Sequence, residues 1–119
     1  ATIDPADVTR ARARVGHLIH AVDTMWERVD LLVFGVVPGD PPRIDTIDPL
    51  AYMHAPMLAV PANLVGTPAV SVPCGVSKVG LPMGFQILAP CLGDGMVLRV
   101  AHAYETATSQ TGHPLYPAT

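Results

Sequence analysis

Two short apolar runs fenced by proline and glycine, between Gly66 and Leu88, constrain this fold more than any other feature. Ala69-Val70-Ser71-Val72 lies between Pro68 and Pro73, and Met83-Gly84-Phe85-Gln86-Ile87-Leu88 follows Gly80-Leu81-Pro82. Proline fixes φ and removes a backbone donor, so neither run extends into a long helix. Each instead reads as a buried strand, the first ending at Pro73, with residues 74–82 as the turn between them. The 13 prolines and 10 glycines of the chain are dispersed among apolar runs, so they mark turns and not a low-complexity linker.

The flanking segments read as helices and one more strand. Asp4-Pro5 is a helix-start signal, a capping carboxylate followed by proline at the first helical position. Val8, Ala11, Val15, Leu18, Ile19, Val22 and Met25-Trp26 then recur at three- and four-residue steps, which predicts one apolar helix face through about Glu27. Arg10, Arg12 and Arg14 fall on the solvated side. Residues 29–37 read as a strand covered on both faces. Residues 38–49 are dense in turn residues and read as a loop, in which Asp48-Pro49 repeats the helix-start signal. Residues 50–65 are predicted helical in part, restarting at Pro61 and stopping at a left-handed Gly66. Asp94 is read as the cap of a last helix, with Val97, Leu98, Val100-Ala101 and Tyr104-Glu105 at helical spacing. The tail after Gly112 is expected to be extended.

Composition narrows the function classes. Half the residues are apolar and 14% are charged, which favours a packed domain over disorder. Seven basic against ten acidic residues form no basic stripe, which argues against direct nucleic-acid contact. No apolar stretch approaches the ~20 residues that span a bilayer. The opening Ala-Thr-Ile-Asp-Pro shows no signal-peptide pattern, and the chain begins without Met. Cys74 and Cys91 lack metal spacing and read as buried reduced thiols of a cytoplasmic protein.

No residue set here makes a strong chemical constellation. Serine hydrolysis needs a nucleophile, a base and oxyanion donors. Ser71 lies within a predicted strand, and its ordinary role there is structural. Ser77 and Lys78 are adjacent in a turn with no third group to orient them. His17, His20 and Asp23 share a helix face, where solvated side chains are the simpler reading than a metal site. No phosphate-binding glycine motif is present. No catalytic residue, metal ligand or cofactor is assigned.

Four stretches in order resemble the C-terminal region of the amidase signature family. Arg10–Val33 is similar to its long helix and Val-Asp-Leu-Leu strand, and Asp48–Gly66 to the helix ending Pro-Ala-Asn-Leu-x-Gly. Thr67–Gln86 matches its Pro-Ala-x-Ser-Val-Pro-x-Gly and Gly-Leu-Pro-x-Gly-x-Gln pair, and residues 97–105 its final helix. The resemblance implies an α/β fold, with 1–119 as the C-terminal part of a mixed-sheet domain holding about three strands and three helices. It also implies hydrolysis of a small-molecule carboxylic amide without a cofactor. In the family a Lys deprotonates a bridging Ser, which activates a nucleophilic Ser. That set lies upstream of the part matched here, so the chain alone is expected to be inactive.

By helical spacing Pro56, Ala59 and Asn63 are candidates to line the substrate cleft, with plain core packing as the alternative. The tRNA-linked members, which belong to glutamyl-tRNA(Gln) amidotransferase, are expected to carry an Asp five residues before Pro61, for the α-amino group of glutamine. Pro56 stands there. The strand after Val29-Asp30 also continues Phe34-Gly35-Val36-Val37-Pro38, where the family often has Pro-Thr. The Pro56 departure favours a general amidase over the tRNA-linked enzyme. Other readings are a non-catalytic module that binds a partner or pairs as a homodimer through open strand edges, and a small enzyme using Ser77/Lys78 or the helix-one histidines His17 and His20.

Overall fold

The computed structural model describes residues 3–48, 50–51 and 57–108. Its elements are α1 (Pro5–Trp26), β1 (Leu32–Gly35), α2 (Val60–Val65), β2 (Ala69–Val76), β3 (Pro82–Leu88) and α3 (Asp94–Thr108). Among the described residues these three helices and three strands make an α/β fold. The sheet order is β1-β3-β2, with both pairings antiparallel.

Local chemistry accounts for most element boundaries. The Asp4 carboxylate accepts from the Ala6 backbone N–H at 2.8 Å, and Pro5 takes the first helical position of α1. Replacing Asp4 with Ala should cost about 1 kcal/mol of stability, measured by urea unfolding; an unchanged midpoint would show that the cap contributes nothing. Pro61 is in the first turn of α2, where its missing N–H is no loss. Gly66 ends that helix at φ 73°, ψ 29°, its N–H donating to the Ala62 carbonyl at 3.0 Å.

The β2–β3 hairpin closes at Ser77–Leu81, where the Ser77 N–H donates to the Leu81 carbonyl at 2.7 Å. Strand β2 runs three residues beyond the expected Pro73. It does so through an irregularity between Pro73 and Gly75, which shifts the register and leaves Cys74 without a cross-strand partner.

The largest buried cluster lies on the face of the sheet that α3 covers, while Gln86 and Leu88 are buried on the other. Val72, Ile87, Ala89, Val97 and Ala101 are buried together, with Leu31, Val70, Phe85, Met96, Val100 and Tyr104 packed around them. Phe85 and Tyr104 meet edge to face at 4.8 Å, tying β3 to α3.

Two expectations, for β1 and for the Asp94 cap, are corrected, and the packing of α1 and α3 is added to what their spacing indicates. Strand β1 is an edge strand, not one covered on both faces, and Val33 on it is 58% exposed. Helix α1 follows the expected spacing, with Val15, Leu18, Val22 and Met25-Trp26 half-buried, yet no residue of it is buried. Within the chain it packs mainly against α2 and not the sheet. Leu98 keeps helical spacing but points to solvent. Asp94 is the first residue of α3, while the Gly93 carbonyl accepts from Met96 and Val97 at 2.9 and 3.1 Å. The extended tail expected after Gly112 lies outside the described residues, as does part of the 50–65 segment.

Candidate functional site

Two grooves open on the described surface beside the sheet. The first, of about 370 Å³, lies between the end of α2 and the start of α3. Asn63, Gly66, Thr67, Leu92 and Asp94 are among its lining residues. Gly66 turns the chain sharply after α2, which brings Thr67 and Pro68 against the turn that precedes α3. The Thr67 Oγ1 is buried and has no hydrogen-bond partner among the described residues. Leu92 holds φ at 64° and is 91% exposed, so an apolar side chain projects beside this groove from a backbone state that leucine rarely adopts.

The second groove, of about 670 Å³, lies between the end of β1 and the hairpin. Val37, Asp40, Cys74, Lys78, Met83 and Phe85 are on its walls. Its lining is largely apolar, with one basic and one acidic side chain at the rim.

The residues expected at a cleft are distributed unevenly. Asn63 lines the first groove and is exposed, and its side chain makes no hydrogen bond among the described residues. Ala59 is half-buried at the N-cap of α2 and lines neither groove. Pro56 lies outside the described residues. Thr67 entered the sequence argument only as the first residue of a matched stretch, and Leu92 did not enter it. The Pro90…Gly93 bracket marks a turn, but nothing in it announces a leucine with positive φ.

Ser77 has a turn-closing role: its Oγ accepts from the Val79 and Leu81 N–H groups at 3.4 and 3.3 Å. The hydroxyl is thereby spent on local backbone, and no base is positioned among the described residues to take its proton. Among the described residues no group of three His, Cys, Asp or Glu could hold a metal, and His17, His20 and Asp23 are solvent-facing on α1. Cys74 and Cys91 are free as expected, but Cys74 is half-buried and Cys91 exposed. Arg43 forks onto Asp45 at 3.0 and 2.7 Å, which holds the Asp45 carboxyl below its ordinary range and raises Arg43. This pair is solvent-exposed and lines neither groove. No described helix is long and apolar enough to cross a membrane.

Comparison with known proteins agrees with this geometry. The sequence profile of the family described as Amidase matches residues 3–98. Among relatives, the A subunit of glutamyl-tRNA(Gln) amidotransferase from Synechococcus sp. (strain RCC307) is 47% identical over 87 residues, which cover 71% of this chain and 18% of that protein. Its counterpart of the same name from Geotalea daltonii (strain DSM 22248 / JCM 15807 / FRC-32) is 39% identical over 93 residues, covering 76% and 19%. The crystal structure of the glutamyl-tRNA(Gln) amidotransferase A subunit from Thermotoga maritima superposes with a TM-score of 0.67 at 27% identity, over 88% of this chain and 28% of that one. The chain thus spans about a fifth of the length of the curated relatives it matches. By profile, sequence and fold together, it belongs to the amidase family, the amidase signature enzymes.

Proposed function

We propose that this chain is the C-terminal, non-catalytic segment of an amidase that hydrolyses carboxylic amides by a Ser/Ser/Lys mechanism. The triad would come from polypeptide outside residues 1–119. The observation that carries this reading is the sheet itself. Strands β1 and β2 both have an unpaired edge among the described residues, and α3 covers one face only. Large apolar side chains stand exposed at Val33, Leu64, Val76 and Leu98. A sheet so incompletely covered gains its stability from further packing.

In this reading the segment shapes and supports the cleft, and Asn63 with Ala59 and Pro56 would face the acyl side of the substrate. The test is an amide-hydrolysis assay on the protein at its native length. Ammonia release from simple carboxylic amides is expected. An intact Ser/Ser/Lys set that hydrolyses no amide would sink the proposal.

A second reading, the glutamine-hydrolysing component of a tRNA-linked amidotransferase, is favoured by the names of the relatives at 39–47% identity. Pro56 weighs against it, because proline offers no charge to the α-ammonium of glutamine. Restoring a charge-assisted hydrogen bond is worth about 1.5–3 kcal/mol. Pro56→Asp should therefore improve kcat/KM for glutamine by roughly 10- to 100-fold, measured by ammonia release, with little change for uncharged amides. Efficient use of glutamine by the native protein, with no gain from Pro56→Asp, would favour the tRNA-linked enzyme.

A further inference from the structure

The two open edges of the sheet are not equivalent. Strand β2 interrupts its own edge. Pro73 offers no N–H in the middle of the strand, and the irregularity between Pro73 and Gly75 breaks the alternation of inward and outward backbone groups. Gly75 holds φ at 123°, a backbone state that favours glycine. A strand laid along this edge would meet a broken ladder. Prolines and bulges are devices by which native sheets close an edge to further pairing.

Strand β1 has none of them. Leu32-Val33-Phe34-Gly35 contains no proline, no charged side chain and no register shift, and pairs residue for residue with Leu88, Ile87, Gln86 and Phe85. In an antiparallel ladder, alternate residues turn their N–H and C=O away from the neighbour. On β1 those outward groups make no backbone hydrogen bond among the described residues. None of its four residues is buried, so the edge is open to approach. The packing is lopsided in the same sense. Helix α3 lies on β2 and β3, whereas β1 is held mainly by β3. Four residue pairs must therefore offset the closure of the loop formed by residues 36–81. The apolar run Leu31 to Phe34 is also the composition of an interior strand.

We propose that the free edge of β1, and not that of β2, takes a strand from the amidase polypeptide outside residues 1–119. Leu32–Gly35 is then the join between this segment and the part that carries the catalytic groups. The proposal rests on the reading above, that this chain completes a larger domain. A second copy of the chain is the poorer occupant. Four residues span about 13 Å, too short to bury the ~1,200 Å² that a stable interface between separate chains takes. A strand of the same polypeptide has no such association cost. About four fifths of the length of the curated relatives lies outside the matched part, which is ample to supply one.

The experiment is residue-resolved amide hydrogen exchange on the protein at its native length, with its mass in solution followed over a dilution series. Successive N–H groups of a strand point to opposite neighbours. If β1 is interior, Val33 and Phe34 should therefore both exchange at least ~100-fold more slowly than in an unstructured peptide. One of the two exchanging freely would leave β1 at an edge and overturn the proposal. Protection of both that is lost on dilution, together with a dimer mass, would assign the edge to a second copy and overturn it as well. A crystal structure of the native-length protein separates pairing from mere cover. A strand from outside residues 1–119, with N···O distances of about 2.7–3.2 Å along Leu32–Gly35, supports the join, and a helix or loop there overturns it. Amide turnover is recorded in parallel. Turnover without the added strand sinks the join alone, and the strand without turnover sinks the amidase reading alone.

Discussion

Ile87→Ala should lower the unfolding free energy of the native-length protein by about 2–5 kcal/mol, the cost of deleting a large side chain from a packed core. Ile87 is 1% exposed and lies on the central strand, in contact with the cluster that joins the sheet to α3. The core around it is small, with Val72 as the only other large side chain buried to the same degree among the described residues. There is little neighbouring bulk to collapse into the cavity, so the upper part of that range is expected. Because whole domains are stable by only about 5–15 kcal/mol, the substitution removes a large share of the total. Equilibrium urea unfolding measures it. A loss below about 0.5 kcal/mol would mean that α3 and the sheet do not depend on each other as described.

Gly93→Ala should also be severe, for a different reason. A Cβ at Gly93 would lie 2.7 Å from Ala89 Cβ and 2.7 Å from the Pro90 carbonyl oxygen. Ala89 is fully buried, and the Pro90 oxygen is backbone that accepts from the Gly93 N–H at 2.8 Å. Neither neighbour can yield without moving the turn that launches α3. Overpacking of this kind costs about 1–3 kcal/mol. The control is Gly95→Ala, two residues on and inside α3, where an added Cβ meets open space. It should leave stability equal or raise it by up to about 1 kcal/mol, because alanine is the better helix former. Thermal unfolding of the two variants side by side is the measurement. Equal effects from both would show that the tight turn before α3 is not a fixed feature.

What could be read from the sequence was what local chemistry decides. Asp4-Pro5 and Pro61…Gly66 have side-chain or backbone reasons to start and stop helices, and each boundary falls close to where those residues place it. The strands within 69–88 follow from proline and glycine fences. Pairing was another matter. Nothing in Leu32–Gly35 indicates that it lies beside β3 and not β2, because register comes from contacts distant in sequence. The same holds for α1. Its period was legible, but period says only that one face is apolar, and the face is left half-covered within this chain. Leu92 shows the limit most plainly. Leu92 takes a positive φ within the tight turn between Ala89 and Gly93, a backbone state that no preference of leucine announces. Of the candidate site, Asn63 was placed by the Pro-Ala-Asn-Leu motif and does border a groove. Thr67 carried no signal until the left-handed Gly66 brought it there.

The strand order β1-β3-β2 also sets a schedule for synthesis and folding. Strands β2 and β3 are neighbours in sequence and close through a short turn, so their pairing involves little chain entropy. Strand β1 must instead wait for a strand that begins only at Pro82, with residues 36–81 to be drawn into a closed loop first. On a ribosome, Leu32–Gly35 emerges well before its partner exists. Through that interval the strand lacks its β3 partner. The chain is then at its most vulnerable to pairing with the wrong neighbour, and the hairpin acts as the template that ends the wait.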